Sequence, residues 1–562
     1  MNANLQALAR AGGLRRVDAA LGGWIGRAFP DSAPEVALAA ALAARAVSEG
    51  HSALQLDAAR AWLTDAGRHS EAPLLPDPDD WRALLRESHA VDWADGAKGA
   101  APRKPLVLDR QGRVYLRRYF EYEQRLAQDL IARANGGHLA LVTGGPGTGK
   151  THGVVHRLIA LADKAHARSR ILQIALAAPT GKAAARLAES VRAQLSTLDA
   201  TEAAATMIPR DAFTLHRLLG LSPNRAGAKF HRDAPLPFDV VVVDEVSMVD
   251  LPLMVKLVDA LREDAMLTLL GDPDQLSAVE AGDVLGALVE AAREPPLSRC
   301  HTHLTQSYRF GEVSRLRRLA DAIVNDDADA ALAMLQGGGE VRMVAGGARN
   351  TRVIDGAVET YRTILDAHDP AHALQAANRF RVLTALRHGP SGNLVLDRAI
   401  EQRLKRHAGV RADSQWWRGR LLMITANRAE LGLFNGDVGV VWPDAAGGPK
   451  AWFEGAGGTP RAISPAALPS FEGAFALTVH KAQGSEFDSV ALVLGADTRV
   501  LTRELLYTGV TRARSTLHIY GDETLLRAGI ARRTQRWNGL ADRLREAAAA
   551  PSSIPESLPP AV

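Results

Sequence analysis

The chain has 562 residues, 47% of them hydrophobic and 23% charged; that balance is globular, and the length is too great for one hydrophobic core. No run of about 18 apolar residues is present and the first twenty residues lack a signal-peptide core, so neither membrane insertion nor export is expected. Cys300 is the only cysteine, which excludes an internal disulfide or a cysteine zinc site and points to the cytoplasm, while a formal charge of +4 permits a polyanionic partner without requiring one.

Residues 1–105 are alanine-rich with helical spacing, as in PEVALAAALAARAVSEG, and are expected to form a helical N-terminal domain. From 106 to 335, short β-rich runs alternate with helical segments, the pattern of a parallel sheet covered by helices. The pattern returns at RFRVLTAL, giving a second α/β lobe over 336–546. Inside it, RGRLLMITANRAELGLFNGDVGVVWPD reads as short strands with a turn at Asn435-Gly436, so 418–474 is expected to be a small β insertion. Residues 547–562 are expected to be a disordered tail.

The first lobe carries the chemistry. LVTGGPGTGKTHGV contains Gly144, Gly149, Lys150 and Thr151 in the spacing G-x-x-x-x-G-K-[ST], between a predicted strand and a predicted helix. Glycine-rich backbone across Gly144, Gly145, Pro146, Gly147, Thr148 and Gly149 brings N–H groups to phosphate oxygens, and the helix N-terminus adds positive potential. Lys150 can then reach the β- and γ-phosphates of ATP, and Thr151 can hold Mg²⁺.

Next, APTGKAAARL ends a β run at Thr180 and Lys182, which open a helix; its N-terminus either caps itself in the ordinary way or takes a phosphate. In FDVVVVDEVSMVD the apolar run reads as a central buried strand, with Asp244 at its carboxyl end to hold Mg²⁺ and Glu245 to orient or deprotonate the attacking water. A third strand ends at GDPDQL, where Gln275 can bond a γ-phosphate and report its loss.

These segments, with LTQSYRF, ALTVHKAQGSEFDSV and LLYTGVTRAR, resemble the superfamily 1 helicases in order and spacing, from about 106 to 525. Their wording is most similar to that of the RecD family, the alpha subunits of exodeoxyribonuclease V, as are TLHRLLG and FNGDVG. The resemblance implies two RecA-like P-loop lobes and an SH3-like β insertion. It also implies an N-terminal region that docks the gamma subunit. It makes Arg309 and Arg512 the arginines that reach the γ-phosphate, a contribution of about 10³–10⁵ in rate.

By the same resemblance, Glu486 and Gln483 meet nucleotide and DNA, and Thr478, His480, Thr180, Lys182, Thr214 and His216 contact the strand. Gln124, in RVYLRRYFEYEQRLA, is a candidate for adenine recognition. Two positions depart from the pattern: Ala482 stands where relatives often carry serine, and Val246 where they often carry a smaller residue.

The implied activity is ATP-driven 5′ to 3′ translocation on single-stranded DNA at duplex ends, in recombinational repair. The implied partners are beta (RecB-like) and gamma (RecC-like) subunits, with any nuclease activity on a partner. A stand-alone RecD-like helicase or DNA-stimulated ATPase is the competing expectation.

Overall fold

The computed structural model describes residues 3–65, 75–94, 103–198, 200–222, 227–306, 314–345, 351–455, 458–495 and 500–550. Arg309 lies outside them. Among the described residues no helix is long and apolar enough to cross a membrane.

The N-terminal unit packs helices Ala3–Arg10, Arg16–Ala28, Pro34–Ser48, Leu56–Asp65 and Pro78–Glu87 with a four-stranded sheet. Leu38 to Ala43 of the third helix are essentially inaccessible, which is why its sequence is apolar all round rather than striped. The sheet corrects the expected boundary at 105. Strand Leu106–Asp109 pairs with Val91–Ala94 and with Arg113–Leu116, and the last of these pairs with Leu54–Gln55. Two strands read as the start of the first lobe therefore complete the N-terminal unit, because short β runs look alike until their partners are known.

The first lobe is a six-stranded sheet in the order His301–Leu304, Leu139–Gly144, Met266–Gly271, Val240–Val243, Ile174–Ala178, Phe213–Thr214, every adjacent pair parallel. The second lobe is a five-stranded parallel sheet in the order Val341–Ala345, Ala513–Gly521, Phe487–Val493, Phe380–Thr384, Ala476–Thr478. Both lobes have the expected α/β class. Helices Arg315–Val324 and Ala328–Gln336 bury Leu319, Ile323 and Ala331 in the second lobe's core. That lobe thus begins before 336, since an amphipathic helix alone does not say which sheet it covers.

Residues 421–473 contain five antiparallel strands in the order Pro460–Ile463, Pro449–Glu454, Val438–Pro443, Leu421–Ile424, Phe471–Gly473, with Leu422, Ile424, Leu433 and Ala451 in their own small core.

After helix Glu523–Ala531 the chain leaves the second lobe. Helix Leu540–Ala549, expected to be partly second lobe and partly disordered tail, is ordered and buries Leu540 and Leu544 in the first lobe's core against helix Arg117–Asn135. Residues 551–562 of the expected tail lie outside the described residues.

Trp537 fastens the crossing. It stacks on His51 at 4.2 Å and meets Trp62 edge-on at 5.3 Å. Beyond it, Arg113 pairs with Asp109 (2.7 Å) and Asp542 (2.6 Å) and donates to the Asn538 carbonyl (2.7 Å), while Arg543 approaches Asp109 at 3.5 Å. Asp109 is fully buried between these two arginines. Asp109→Ala removes the buried carboxylate the two guanidinium groups share, leaving Arg113 to Asp542 and Arg543 to Glu546 (2.9 Å), and is expected to destabilise the N-terminal unit and the C-terminal helix by about 1.5–3 kcal/mol, the range for losing hydrogen bonds to a charged group. A lower urea midpoint for the first unfolding transition, with earlier proteolysis near residue 540, is the expected result.

Candidate active site

The phosphate loop joins strand Leu139–Gly144 to helix Lys150–His166. Gly147 (φ +74°) and Gly149 (φ +83°) are left-handed, a conformation that side chains other than glycine resist. A Cβ at Gly144 would lie 2.5 Å from the Leu304 carbonyl oxygen and 2.8 Å from Thr148 Oγ1, so the loop is closed too tightly for any larger residue. Gly149 caps the helix with no side-chain acceptor, leaving the first-turn N–H groups, including that of Thr151, to an anion. Lys150 Nζ donates to the carbonyls of Gly144 and, at 3.0 Å, Gly145. Thr148 Oγ1 donates to Gly145 at 2.9 Å. This is the cradle a triphosphate requires.

Two strands away, Val240–Val243 is buried throughout and delivers Asp244 and Glu245 at its end. Asp244 Oδ1 accepts the Glu245 N–H at 2.8 Å, and Glu245 is left-handed (φ +54°, ψ 43°), a costly backbone conformation for a non-glycine residue. Burial, then the Glu245 charge, pushes the Asp244 carboxyl up to about 6, and Lys150 opposes the rise. The lysine and the two acids therefore share one site. Two adjoining carboxylates are oxygen donors of the kind that suits Mg²⁺.

The strand between them, Met266–Gly271, ends at Asp272, whose Oδ2 accepts Gln275 Nε2 at 2.9 Å. From here the bonds cross to the second lobe. The Leu276 N–H donates to Thr508 Oγ1 at 2.9 Å, and Gln483 Nε2 donates to the Leu276 carbonyl at 2.9 Å. Gln483, expected on DNA, is buried at this seam with its amide spent on Gln275's neighbour, because the turn carrying it faces the first lobe.

Arg512 is 3% exposed and donates to the carbonyls of Thr508 (3.0 Å) and Ser485 (3.2 Å) and to Thr511 Oγ1 (3.4 Å). Glu486, expected on nucleotide, pairs with Arg514 at 3.4 Å and, across the cleft, with Arg186 at 4.0 Å. Arg186 was not anticipated from the sequence. Burial lowers its pKa, and the charges of Glu486, Arg512, Arg514 and Glu245 all act on it, as expected of a residue at the cleft between the lobes. Its only sequence signal is its place on the helix after Lys182.

On the expected DNA side, Thr180 Oγ1 accepts Ala183 N–H (3.2 Å) and Thr214 Oγ1 accepts Arg217 N–H (3.2 Å); both are helix caps. Burial, then Arg186 and Arg381, pushes the Lys182 amine down to about 7 against the opposing pull of Asp437 and Glu454, two residues of the β insertion. A Cβ at Gly181 would lie 2.7 Å from Phe434, so this helix end abuts the FNGDVG turn. His216 is exposed and Thr478 is buried. His480 is half-buried, its imidazole pushed down by burial and then by Arg536. Gln124 is exposed on helix Arg117–Asn135, whereas its neighbour Glu123 is buried and accepts the Gly539 N–H.

Two parallel α/β lobes, a phosphate cradle and acid pair on one and a buried arginine on the other, define a P-loop helicase. Comparison agrees: residues 127–281 match the model of an AAA domain, 473–520 that of the UvrD-like helicase C-terminal domain, and 10–115 that of the RecD N-terminal domain of the RecBCD enzyme. The chain is 40% identical to the RecBCD enzyme subunit RecD of Mycobacterium tuberculosis over 92% of each chain, and 38% identical to that of Mycolicibacterium smegmatis over 92% of this chain and 95% of the relative. It is also 32% identical to the ATP-dependent RecD2 DNA helicase of Deinococcus radiodurans, over 87% of this chain and 60% of that protein. The chain belongs to the RecD family.

The raised Asp244 carboxyl has a stability consequence. A carboxyl whose folded pKa lies above its ordinary value of 3.8 supports the fold while protonated, and that support is lost as pH rises through about 6. Asp244→Asn is therefore expected to match the wild-type melting temperature at pH 4 and exceed it at pH 8, while weakening Mg²⁺-dependent nucleotide binding. Thermal melts at the two pH values and fluorescent-nucleotide titration check both.

Proposed function

We propose that this chain is an ATP-dependent DNA helicase that moves 5′ to 3′ on single-stranded DNA. In this reading it is the motor alpha subunit of a helicase–nuclease acting at duplex ends in recombinational repair, with beta (RecB-like) and gamma (RecC-like) subunits, in the cytoplasm. The observation that carries the reading is that the phosphate loop, Asp244 and Glu245 belong to one lobe and Arg512 to the other. Buried hydrogen bonds from Leu276 to Thr508 and from Gln483 to Leu276 join the lobes beside Gln275. A nucleotide held in such a cleft favours closure, and hydrolysis removes the charge that bridges the lobes.

Thr151 and Asp244 are the residues that would hold Mg²⁺, which supplies charge neutralisation at the β- and γ-phosphates. Glu245 is the base for water, and Arg512, with Arg309, supplies positive charge to the transferred group. Thr180, Lys182, Thr214, His216, Thr478 and His480 remain candidates for strand contact, and polarity rests on family resemblance. The subunit reading draws support from the match of residues 10–115 to the RecD N-terminal domain and from the higher identity to the mycobacterial RecBCD subunits than to RecD2. The stand-alone helicase is the second reading, which the RecD2 likeness keeps in view.

In ATPase assays with single-stranded DNA, Lys150→Ala is expected to abolish turnover. Arg512→Ala is expected to cut stimulated turnover by about 10³-fold with ATP affinity little changed. Turnover by folded Lys150→Ala close to wild type overturns the assignment.

Docking of the gamma subunit is assigned to the N-terminal unit, where Val17 (63% exposed) and Trp24 (49% exposed) stand out on helix Arg16–Ala28. Val17→Asp with Trp24→Glu is expected to prevent co-purification with the partners while leaving DNA-stimulated ATPase within twofold of wild type. Undiminished assembly would move the interface onto the lobes.

A further inference from the structure

The helix Arg503–Val510 of the second lobe carries a tyrosine with no role so far. Tyr507 is 6% exposed, and its hydroxyl donates to Asp272 Oδ2 at 3.1 Å. That same oxygen accepts the Gln275 amide at 2.9 Å. The phenol also meets the phosphate loop, since a Cβ at Gly145 would lie 3.0 Å from Tyr507 Oη. One residue on, Thr508 accepts the Leu276 N–H through its hydroxyl and the Arg512 guanidinium through its carbonyl. A single helical turn thus touches the phosphate loop, the end of the Gln275 strand and the arginine.

We infer that Tyr507 is a positioning residue for ATP hydrolysis: from the second lobe it fixes the Asp272 carboxylate, and through it the Gln275 amide, so that the γ-phosphate sensor is aligned only when the lobes are docked. Asp272 is 1% exposed and its other oxygen accepts the Asp274 N–H at 3.1 Å, so the tyrosine hydroxyl and the Gln275 amide share one buried oxygen. Burial, then the Asp272 charge, raises the phenol well above its ordinary pKa, which keeps it a donor throughout the working pH range. If the lobes part, Asp272 Oδ2 keeps the Gln275 amide but loses the hydroxyl that fixes its direction from the second lobe, which links strand-driven closure to hydrolysis. The inference rests on the ATPase reading above and adds the residue that couples the two lobes.

Tyr507→Phe keeps the ring and removes the hydroxyl. In the full chain with single-stranded DNA, it is expected to lower kcat about tenfold while the ATP KM stays within twofold, the size of effect that losing one hydrogen bond to a charged group permits. In a Gln275→Ala background, the same substitution is expected to cost less than twofold further, because the route through the amide is already gone. Asp272→Asn should reproduce the kcat loss and serves as the second variant if Tyr507→Phe does not fold; equal thermal melts establish folding.

An unchanged kcat, a KM that rises with the fall in kcat, or a full tenfold loss in the Gln275→Ala background overturns the inference. Wild-type protein assayed alongside separates the two failures: no DNA-stimulated turnover by wild type rejects the ATPase reading, whereas normal wild-type turnover with any of these outcomes rejects Tyr507 alone.

Discussion

Everything in this molecule depends on parallel strands buried on both faces. Such a strand has no polar side to offer, so its functional groups are confined to its ends. Val240–Val243 shows the constraint at its most severe: four valines in a row, each inaccessible or nearly so, then Asp244. Its neighbour Met266–Gly271 and the phosphate-loop strand Leu139–Gly144 run parallel to it, with Thr143 beside Gly271 and Leu269 beside Val243. Three strands that finish level place Lys150, Asp244 and Gln275 along one edge, though nearly the whole lobe lies between them in sequence.

That edge becomes a machine only where the second lobe closes on it. Among the described residues, the buried hydrogen bonds across the seam concentrate on one short loop. Leu276 is held through its N–H by Thr508 and through its carbonyl by Gln483, and Asp272 is held by Tyr507. The far end of the same loop is gripped from elsewhere. Arg536 donates to the Ala278 carbonyl (3.0 Å) and to Ser277 Oγ (3.4 Å), and its third nitrogen donates to the Glu49 carbonyl of the N-terminal unit at 2.6 Å. Gly282 N–H reaches the Gly50 carbonyl at 3.0 Å. The loop after Gln275 is therefore a junction of three units.

Strain and electrostatics mark the same place. Glu245 is one of three non-glycine residues with positive φ among the described residues, and the adjoining Asp244 carries a carboxyl raised to about 6. Both cost folding energy, and both lie at the strand end beside Lys150, where strain and raised pKa values are the marks of a candidate active site.

The sequence by itself determined the phosphate loop, the acid pair, Gln275 and the parallel α/β class of both lobes, because each is written in contiguous residues: a glycine spacing, an apolar run, the polar cluster that ends it. It also carried the family, since seven such segments in one order leave little else. What only the tertiary structure decided is held by partners far apart in the chain. Leu106–Asp109 belongs to the N-terminal sheet because Val91–Ala94 and Arg113–Leu116 flank it. Leu540–Ala549 is an ordered helix because the first lobe offers it an apolar groove. Gln483 faces Leu276 instead of solvent, and Arg186 and Tyr507 join the active site, only because two lobes meet. A side chain's direction across such a seam depends on the rigid-body placement of whole sheets, and no local spacing of residues encodes it.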